Sequence, residues 1–401
     1  MLAAPASPPT SDLQRARLSA RGSVNFLALA AGLGVANLYY AQPLAAMIAE
    51  SLRVTAGAFG FALMMSQIGY ALGLLFLVPL GDGRERRGLM VKTAAAASGT
   101  LLLVAIAPNF PLLVAASLLL GFASSLPQMA VPFAVGLVGE AGRGRAIGTV
   151  MGGLLAGILL SRTASGALAS AAGWRATFAC AAVVMAATSI AIRWALPLQR
   201  PAQPLSWSKI LVSLAQVAKS QPVLRRQALV GAAGFASFSV FWSTLSYHLA
   251  RLGHGSKAAG LFGAVGVVGV VVAPLVGRFA GRVRPTRINV VALCAVVASF
   301  GVMWLAKSSL IGIALGVVLL DAGVQASHLT NQTIVYGLEP ELRNRLNSVY
   351  MVTYFVGGSL GTVAAAFAWE RAGWGGVCVL GAALAGSGVL PLLRRPASLR
   401  L

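Results

Sequence analysis

The triplet Ala172-Gly173-Trp174 occurs a second time, 200 residues later, as Ala372-Gly373-Trp374. The pair Arg143-x-Arg145 returns at the same offset as Arg343-x-Arg345. The chain around both copies is mostly apolar, so the unit that is repeated is a set of membrane helices. Two parallel halves with a cleft between them are typical of secondary transporters, which bind substrate at the interface of the repeats.

The composition predicts an all-α integral membrane protein. Hydrophobic residues make up 58% of the 401 residues and charged residues 10%, whereas a soluble protein has about 25% charged residues. Many apolar stretches approach the ~20 residues that a helix needs to cross a hydrocarbon core. We expect twelve transmembrane helices in two pseudo-symmetric six-helix halves. The predicted spans are 22–45, 57–80, 88–107, 109–138, 146–170, 174–196, 226–250, 257–280, 287–306, 309–335, 347–369 and 374–393.

The net charge of +22 is explained by membrane topology. With the N-terminus inside, 24 of the 31 Lys and Arg residues lie in or beside cytoplasmic segments, six lie in or beside external loops, and Arg162 lies within a span. This asymmetry follows the positive-inside rule, so we expect the lipid bilayer as a partner and no nucleic acid. It predicts a multi-pass protein of the bacterial cytoplasmic (inner) membrane with both termini in the cytoplasm.

The span pattern divides the chain into five segments. They are the cytoplasmic N-terminal tail 1–21, the N-terminal six-helix half 22–196, the cytoplasmic linker 197–225, the C-terminal half 226–393 and the cytoplasmic C-terminal tail 394–401. The polar N-terminal tail has no apolar run, so we expect the first span to act as an uncleaved signal anchor. An amphipathic surface helix is predicted within the linker, at about 206–219.

The sequence contains no set of residues that looks catalytic, and we expect no enzyme activity and no cofactor. Cys180, Cys294 and Cys378 are odd in number, far apart and within predicted spans, so we expect neither disulfides nor a metal site. Of the nine acidic residues, only Asp321 lies deep in a span. We expect a monomer that moves a small-molecule substrate.

The loop from Gly81 to Arg87 carries the first family resemblance. Asp82, Arg86 and Arg87 match the conserved loop of the major facilitator superfamily, whose pattern runs Gly-x-Leu-Ala-Asp-Arg-x-Gly-Arg-Arg. The resemblance covers about residues 22–394 and implies the major facilitator fold with alternating access. It also implies that Asp82, Arg86 and Arg87 hold a cytoplasmic gate through charge-assisted bonds near a helix N-terminus.

Two further stretches narrow the resemblance. The first span contains the run Asn37 to Leu44, and the tenth span and its connection run from Asp321 to Asn347. Together they resemble a bacterial branch described as sugar- or drug-efflux permeases of the drug:proton antiporter type. In the fourth span, Ser117 stands where proton-driven members usually carry an Arg.

Arg162 and Asp321 are the two charges placed deep within the spans, near the bilayer centre. Either charge alone near the bilayer centre costs about 3 kcal/mol on insertion scales, so each should face a cavity or a partner. The resemblance implies that the fifth and tenth spans meet, and helix rise then places the two charges within about 5–10 Å in depth. They are therefore candidates either for proton coupling or for a permanent ion pair that only clamps the halves together.

The tenth span has a polar stripe on one face. Asp321, Gln325, His328 and Gln332 fall at i, i+4, i+7 and i+11, and a lipid-facing helix would not carry such a stripe. We expect Gln325 and Gln332 to line the substrate cavity, and His328 either joins the proton path or is a hydrogen-bonded core histidine. The residues expected to line the cavity from the other half are Asn37, Tyr40 and Gln128.

The sequence therefore predicts a secondary active transporter that exports small, sugar- or drug-like molecules by proton antiport. Asp321 would carry the proton and Arg162 would tune it. One alternative is a proton-coupled importer of a small organic solute. A second is a non-transporting membrane sensor or scaffold with the same fold, which would have no need of the polar stripe.

Overall fold

The structure is a computed structural model, and it describes residues 10–199, 207–266, 283–339 and 342–393. Within these ranges the chain is almost entirely helical. The helices are α1 Thr10–Ala36, α2 Ala45–Ser51, α3 Ala56–Phe76, α4 Arg86–Ile106, α5 Phe110–Ala123, α6 Leu126–Ala195, α7 Trp207–Ser220, α8 Pro222–Arg251, α9 Ser256–Val265, α10 Pro285–Leu305, α11 Leu310–Tyr336, α12 Arg343–Ser387 and α13 Leu390–Leu393.

Eight stretches of the described chain are long and apolar enough to cross a membrane. Two of them, Gly142–Ala195 with 54 residues and Arg345–Leu393 with 49, are long enough for two crossings each. The predicted first span contributes the shorter apolar segment Ala20–Ala36, and the eighth begins with α9. Residues 267–280 of the predicted eighth span lie outside the described residues.

The repeated triplet marks the turn between two crossings in each half. Gly173 has φ 81° and Gly373 has φ 58°, a left-handed conformation that glycine adopts without the steric penalty of a Cβ. Trp174 and Trp374 follow at once and are buried. These turns reverse the long helices α6 and α12, which carry the fifth and sixth and the eleventh and twelfth spans.

The predicted continuous first span, 22–45, is wrong. Helix α1 ends at Ala36, residues 37–44 form successive turns, and helix α2 begins at Ala45. Pro43 contributes to the interruption because it has no N–H to donate and its ring obstructs the preceding turn. The fourth span is also interrupted, at Ser124 and Ser125, between α5 and α6.

The linker contains the amphipathic helix that the sequence predicts. Helix α7 runs from Trp207 to Ser220, and Leu214 and Val217 on it are buried. Helix α8 begins at Pro222, shortly before the predicted end of the linker at 225. Proline is favoured at the first helical position, where its missing N–H leaves no hydrogen bond unmade.

Close glycine contacts repeat in the two halves. Gly153 and Gly157 of α6 lie against the backbone of α1 at Ala28 and Gly32. In the second half, Gly357 and Gly361 of α12 lie against α8 in the same way. Small residues let membrane helices approach this closely, so each half is built on an equivalent pair of crossed helices.

The bundle has two ends, which we name by their connections. The linker end carries residues 78–86 and the linker helix α7, and the far end carries the turns at Arg53, Gly173, Gly253 and Gly373. In the far-end part of the bundle, hydrogen bonds join the halves. Gly57 N donates to Glu370 Oε1 at 2.6 Å, Gln67 Nε2 to Thr362 Oγ1 at 2.9 Å, and Thr163 Oγ1 to the Gly260 carbonyl at 3.0 Å.

Candidate functional site

Arg162 lies at the centre of the bundle and is only 1% exposed. Its Nε donates a hydrogen bond to Gln42 Oε1 at 2.9 Å. Its guanidinium carbon lies 3.8 Å from the centre of the Trp242 ring, 4.8 Å from Tyr39 and 5.5 Å from Phe238. A desolvated cation over an aromatic face gains about 2 kcal/mol or more, so three rings and an amide hold this charge in the membrane interior.

Both halves supply this environment. Tyr39 and Gln42 belong to the interruption between α1 and α2, whereas Phe238 and Trp242 belong to α8 of the second half. Because the interrupted span does not run as a regular helix, Gln42 can reach Arg162 on α6. Discontinuous helices that form a site at the interface of repeats are a recurrent device of secondary transporters.

Asp321 on α11 lies in the same buried centre and is 5% exposed. Its carboxylate lies near the Arg162 guanidinium, and the Trp242 indole is placed to donate to it although no hydrogen bond of normal geometry forms. Within the described chain, however, Arg162 and Asp321 make no ion pair within 4.0 Å. Arg162 Nη2, Trp242 Nε1 and Asp321 Oδ1 are buried and have no hydrogen-bond partner. The two charges lie near each other, but the described chain contains no direct ion pair between them.

Gly263 of α9 and Gly266, which follows this helix, lie against Arg162 and Asp321. A Cβ placed on Gly263 would lie 2.7 Å from the Arg162 Cβ, and one on Gly266 would lie 2.5 Å from Asp321 Oδ2. Real Cβ atoms do not come this close, so only glycine fits at either position without a shift. These two glycines therefore allow the two charges to share one region of the interface.

The polar stripe of α11 leads from Asp321 toward the linker end. His328 Nδ1 is hydrogen-bonded to the Tyr350 hydroxyl at 3.0 Å, and its ring lies 4.6 Å from that of Tyr354. Gln325 is half-buried, and Gln332 Nε2 lies 3.9 Å from the Met351 sulfur. His328 is thus hydrogen-bonded within the core, as one of the two sequence interpretations expects.

An aromatic cluster joins the stripe to the first half. It consists of Tyr70, Phe235, Tyr350, Tyr354 and Phe355. Tyr70 and Phe355 lie 4.4 Å apart across the interface of the halves, and Phe235 stacks on Tyr354 at 4.1 Å. Gln128 Nε2 donates to the Tyr70 hydroxyl at 3.3 Å. Gln128 and His328 therefore lie at opposite ends of the same cluster.

Two residues predicted to line the central cavity lie elsewhere. Tyr40 packs against the hydrophobic core of the first half. Asn37 lines a cavity of about 20 Å³ within the first half, together with Ser66 and Ser117, and both of its amide atoms lack a hydrogen-bond partner. That volume holds about one water molecule. Tyr40 and Asn37 follow Ala36, so the end of α1 turns them away from the face that a continuous helix would give them.

The loop at the linker end ties the first half to its own sixth span. Arg87 Nη1 donates to the carbonyls of Leu196 at 3.1 Å and Arg193 at 3.3 Å. Arg86 Nε donates to the Gly81 carbonyl at 3.0 Å. Glu85, where the family pattern has Gly, accepts from the N–H groups of Arg87 and Gly88 and so caps α4. The side chain of Asp82 lies outside the described residues.

Sequence reasoning missed Gln42 as the partner of Arg162 and Glu370 as a cap on the other half. Gln42 precedes Pro43 in the middle of a predicted span, and that proline was an available signal for a break. Glu370 lies just before the Gly373 turn of α12, at the far end of the bundle, and resembles an ordinary loop acid in the sequence. Its contact with the N-terminus of α3 depends on how the halves pack, which the local sequence does not encode.

Comparison with known proteins gives a family match and several relatives. The model of the Major Facilitator Superfamily matches residues 24–362. An uncharacterized transporter of Escherichia coli O157:H7, YgaY, is 38% identical over 361 residues, which are 90% of this chain and 92% of that protein. A protein of Streptomyces coelicolor named as a probable transporter is 31% identical over 91% of this chain and 85% of its own length.

Solved structures show the same fold at low sequence identity. The nucleoside transporter NupG has a TM-score of 0.74 and 12% identity, and the match covers 93% of this chain and 98% of that one. A bacterial homolog of the human lysosomal transporter Spinster has a TM-score of 0.71 and 15% identity, with coverage of 97% and 95%.

Proposed function

The chain belongs to the major facilitator superfamily, and from that premise we propose that it exports small, sugar- or drug-like molecules from the bacterial cytoplasm by proton antiport. The family fold has twelve membrane spans, and the relatives support transport as the general function. The observation that carries the proposal further is the buried meeting of Arg162 and Asp321 between the halves.

The arrangement of the two charges supports proton exchange. Neither charge is neutralised by a direct ion pair within the described chain, although each is expensive to hold at this depth. The halves that carry them must move past each other during alternating access. Motion would change the distance between Arg162 and Asp321, and the affinity of Asp321 for a proton would change with it. Asp321 is therefore proposed as the proton carrier and Arg162 as the group that tunes it, with His328 further along the same face.

The remaining predicted residues take their roles from this cycle. Gln128, Gln325 and Gln332 are proposed to line the path of the substrate as the halves separate. The linker end is proposed to face the cytoplasm, where Asp82, Arg86 and Arg87 hold the gate. No chemical conversion is required at any step, so we propose a transporter without enzyme activity, cofactor or metal, acting as a monomer.

Transport in proteoliposomes tests this proposal. Purified protein is reconstituted, a pH gradient is imposed, and uptake is measured for sugars, amphipathic cations, organic acids and amino acids. We expect accumulation of a solute against its gradient, driven by proton flow in the opposite direction, and no accumulation when an ionophore collapses the gradient.

A proton-coupled importer of a small organic solute is the second candidate, and the polar site between the halves would serve it equally. Accumulation in the same direction as proton flow would favour it. A sensor or scaffold would show neither solute accumulation nor substrate-dependent proton flux in these vesicles.

A further inference from the structure

We propose that the substrate is a zwitterion of the α-amino-acid type, with a carboxylate and an ammonium group a few atoms apart. The inference deepens the proposed transport function and rests on it. It starts from three buried polar atoms that make no hydrogen bond of normal geometry, Arg162 Nη2, Trp242 Nε1 and Asp321 Oδ1, with the Trp242 indole placed beside the Asp321 carboxylate. Two of these atoms are donors and one is an acceptor.

The two donors fit a carboxylate. A guanidinium nitrogen and an indole N–H can each donate to one carboxylate oxygen, and hydrogen bonds to an ionised acceptor are the stronger kind. Arg162 is already oriented by Gln42 through Nε. That bond leaves Nη2 available while it fixes the plane of the guanidinium group.

The acceptor fits an ammonium group. Asp321 Oδ1 can accept from an ammonium group that lies close to the carboxylate of the same molecule. Trp242 and Phe238, whose rings lie against the Arg162 guanidinium, also give this region an apolar lining. A zwitterion is therefore complementary to the donors, to the acceptor and to their surroundings.

Solutes with one charge fit the site less well. A simple cation at Asp321 would lie near the guanidinium of Arg162 and would leave both donors without partners. A simple anion at Arg162 would lie near the Asp321 carboxylate. Arg162 and Asp321 together carry no net charge, and neither does a zwitterion. When a zwitterion binds between them, each charge of the site faces an opposite charge of the solute.

The site also makes the proton and the solute exclude each other. A proton on Asp321 removes the negative charge that the ammonium group needs, so a protonated site releases a zwitterion. Among the described residues, Tyr39 interacts with Arg162 and Tyr354 with Asp321. This exclusion is the requirement of an antiporter.

Access follows from the division of the site between the halves. Arg162 and Gln42 belong to the first half, and Trp242 and Asp321 to the second. Arg162 is 1% exposed, so a solute reaches it only after the halves separate. A bound zwitterion would then bridge the two halves through its two charged groups.

Matched ligands test the proposal on the wild-type protein. The common apolar and aromatic α-amino acids are each compared with their methyl ester, which is a cation, and their N-acetyl form, which is an anion. Binding is measured by the ligand-dependent rise in thermal midpoint of the purified full-length protein. We expect at least one amino acid to bind roughly tenfold or more tightly than both of its derivatives, because each derivative leaves a charged hydrogen-bonding group unpaired.

The Asp321→Asn variant provides a second measurement. It should abolish the preference for the zwitterion over the N-acetyl anion, whereas Glu50→Gln, an acid-to-amide change at an exposed position, should keep it.

Equal or tighter binding of an ester or of an N-acetyl form by the wild type would overturn the proposal, as would a panel in which no amino acid binds. Zwitterion binding without proton-driven transport would leave the substrate class intact and refute the antiport. Proton-driven transport of a solute that carries only one charge, or none, would support the antiport and refute the zwitterion as substrate.

Discussion

At the scale of single residues, the central question is how an arginine remains charged and buried between two helical halves. Arg162 is held by the Gln42 amide and by aromatic faces from both halves. It therefore does not depend on Asp321 for its placement. Asp321 is left with one oxygen free of hydrogen bonds, which is the state required of a group that gains and loses a proton during a cycle.

The variant Asp321→Asn tests this division of roles. We expect it to abolish accumulation driven by a pH gradient, and to weaken exchange of a zwitterionic solute across a membrane without a gradient because the charge that accepts its ammonium group is lost. The amide has nearly the shape of the acid but carries no exchangeable charge. Uptake and exchange in proteoliposomes are measured side by side, with Glu50→Gln as the control at an exposed acid.

The clamp hypothesis makes the opposite prediction. If Arg162 needs Asp321 as a permanent partner, Asp321→Asn should destabilise the protein by about 3–5 kcal/mol. The double variant with Arg162→Met should then recover both stability and transport. Proton-driven transport by that double variant would contradict a coupling role for Asp321.

At the scale of elements, the crossed helices α1 and α6 depend on glycine. A Cβ on Gly157 would overlap the backbone of Gly32, whereas a Cβ on Gly152, in the same helix, would meet nothing within 4 Å. We expect Gly157→Ala to lower the free energy of unfolding by about 1–3 kcal/mol, the usual effect of overpacking. Gly152→Ala should leave it unchanged or slightly raised, since alanine favours a helix.

Thermal unfolding of the two variants in the same detergent measures the difference. If Gly157→Ala unfolds at the wild-type midpoint, the close approach of α1 and α6 is not required for stability.

Arg87 and Glu85 of the loop at the linker end form hydrogen bonds within the first half. Arg87 binds the last carbonyls of the sixth span, where a cation is favoured by the helix dipole, and Glu85 caps α4.

We expect Asp82→Asn to lower the transport rate several-fold while folded protein remains in the membrane, because a gate charge is lost. Arg84→Gln, an exposed change in the same loop, should transport normally, and a wild-type rate for Asp82→Asn would reduce the loop to a solvated turn.

Particular elements show how far the sequence could predict the structure. The triplet at 172–174 located a turn because a glycine at positive φ is a local requirement, and α7 was predicted because its apolar face is periodic. The interruption after Ala36 was missed because apolar composition records that a segment lies in the membrane and not whether its helix is continuous. Asp321 and Arg162 were found because buried charge is rare, but Gln42 and Trp242 became their neighbours only through tertiary packing.

At the scale of the whole molecule, the topology prediction can be tested with reporters that are active only outside the cytoplasm. Fusions at the N-terminus, at the linker near Arg200 and at the C-terminus should be inactive. A fusion in the far-end turn near His254 should be active, because the positive-inside rule places that end outside. Activity at the linker would break the twelve-span orientation.

The far-end closure gives a second test of the whole molecule. Gln67 and Thr362 are hydrogen-bonded across the halves at 2.9 Å. We expect the pair Gln67→Cys and Thr362→Cys, in a chain whose three native cysteines are replaced by serine, to cross-link on oxidation and to stop transport, because the halves can no longer part at this end.

Reduction of the cross-link should restore transport, and each single cysteine variant should be insensitive to oxidant. Full transport by the cross-linked protein would show that the far-end contacts need not open during the cycle.

Helix α8 has a consequence for biosynthesis. Its most apolar window has a mean hydropathy of 1.5, the lowest of the eight membrane-length stretches, and 83% of that window is buried inside the bundle. It also carries several buried hydroxyls, Ser237, Ser239, Ser243, Thr244 and Ser246. Yet α8 is the first span of its half to leave the ribosome. While α12 is still being synthesised, α8 meets lipid with a face that is adapted to protein, so its retention in the bilayer depends on helices that arrive later. Truncated chains that end before α12 should therefore be the preferred targets of membrane quality-control proteases.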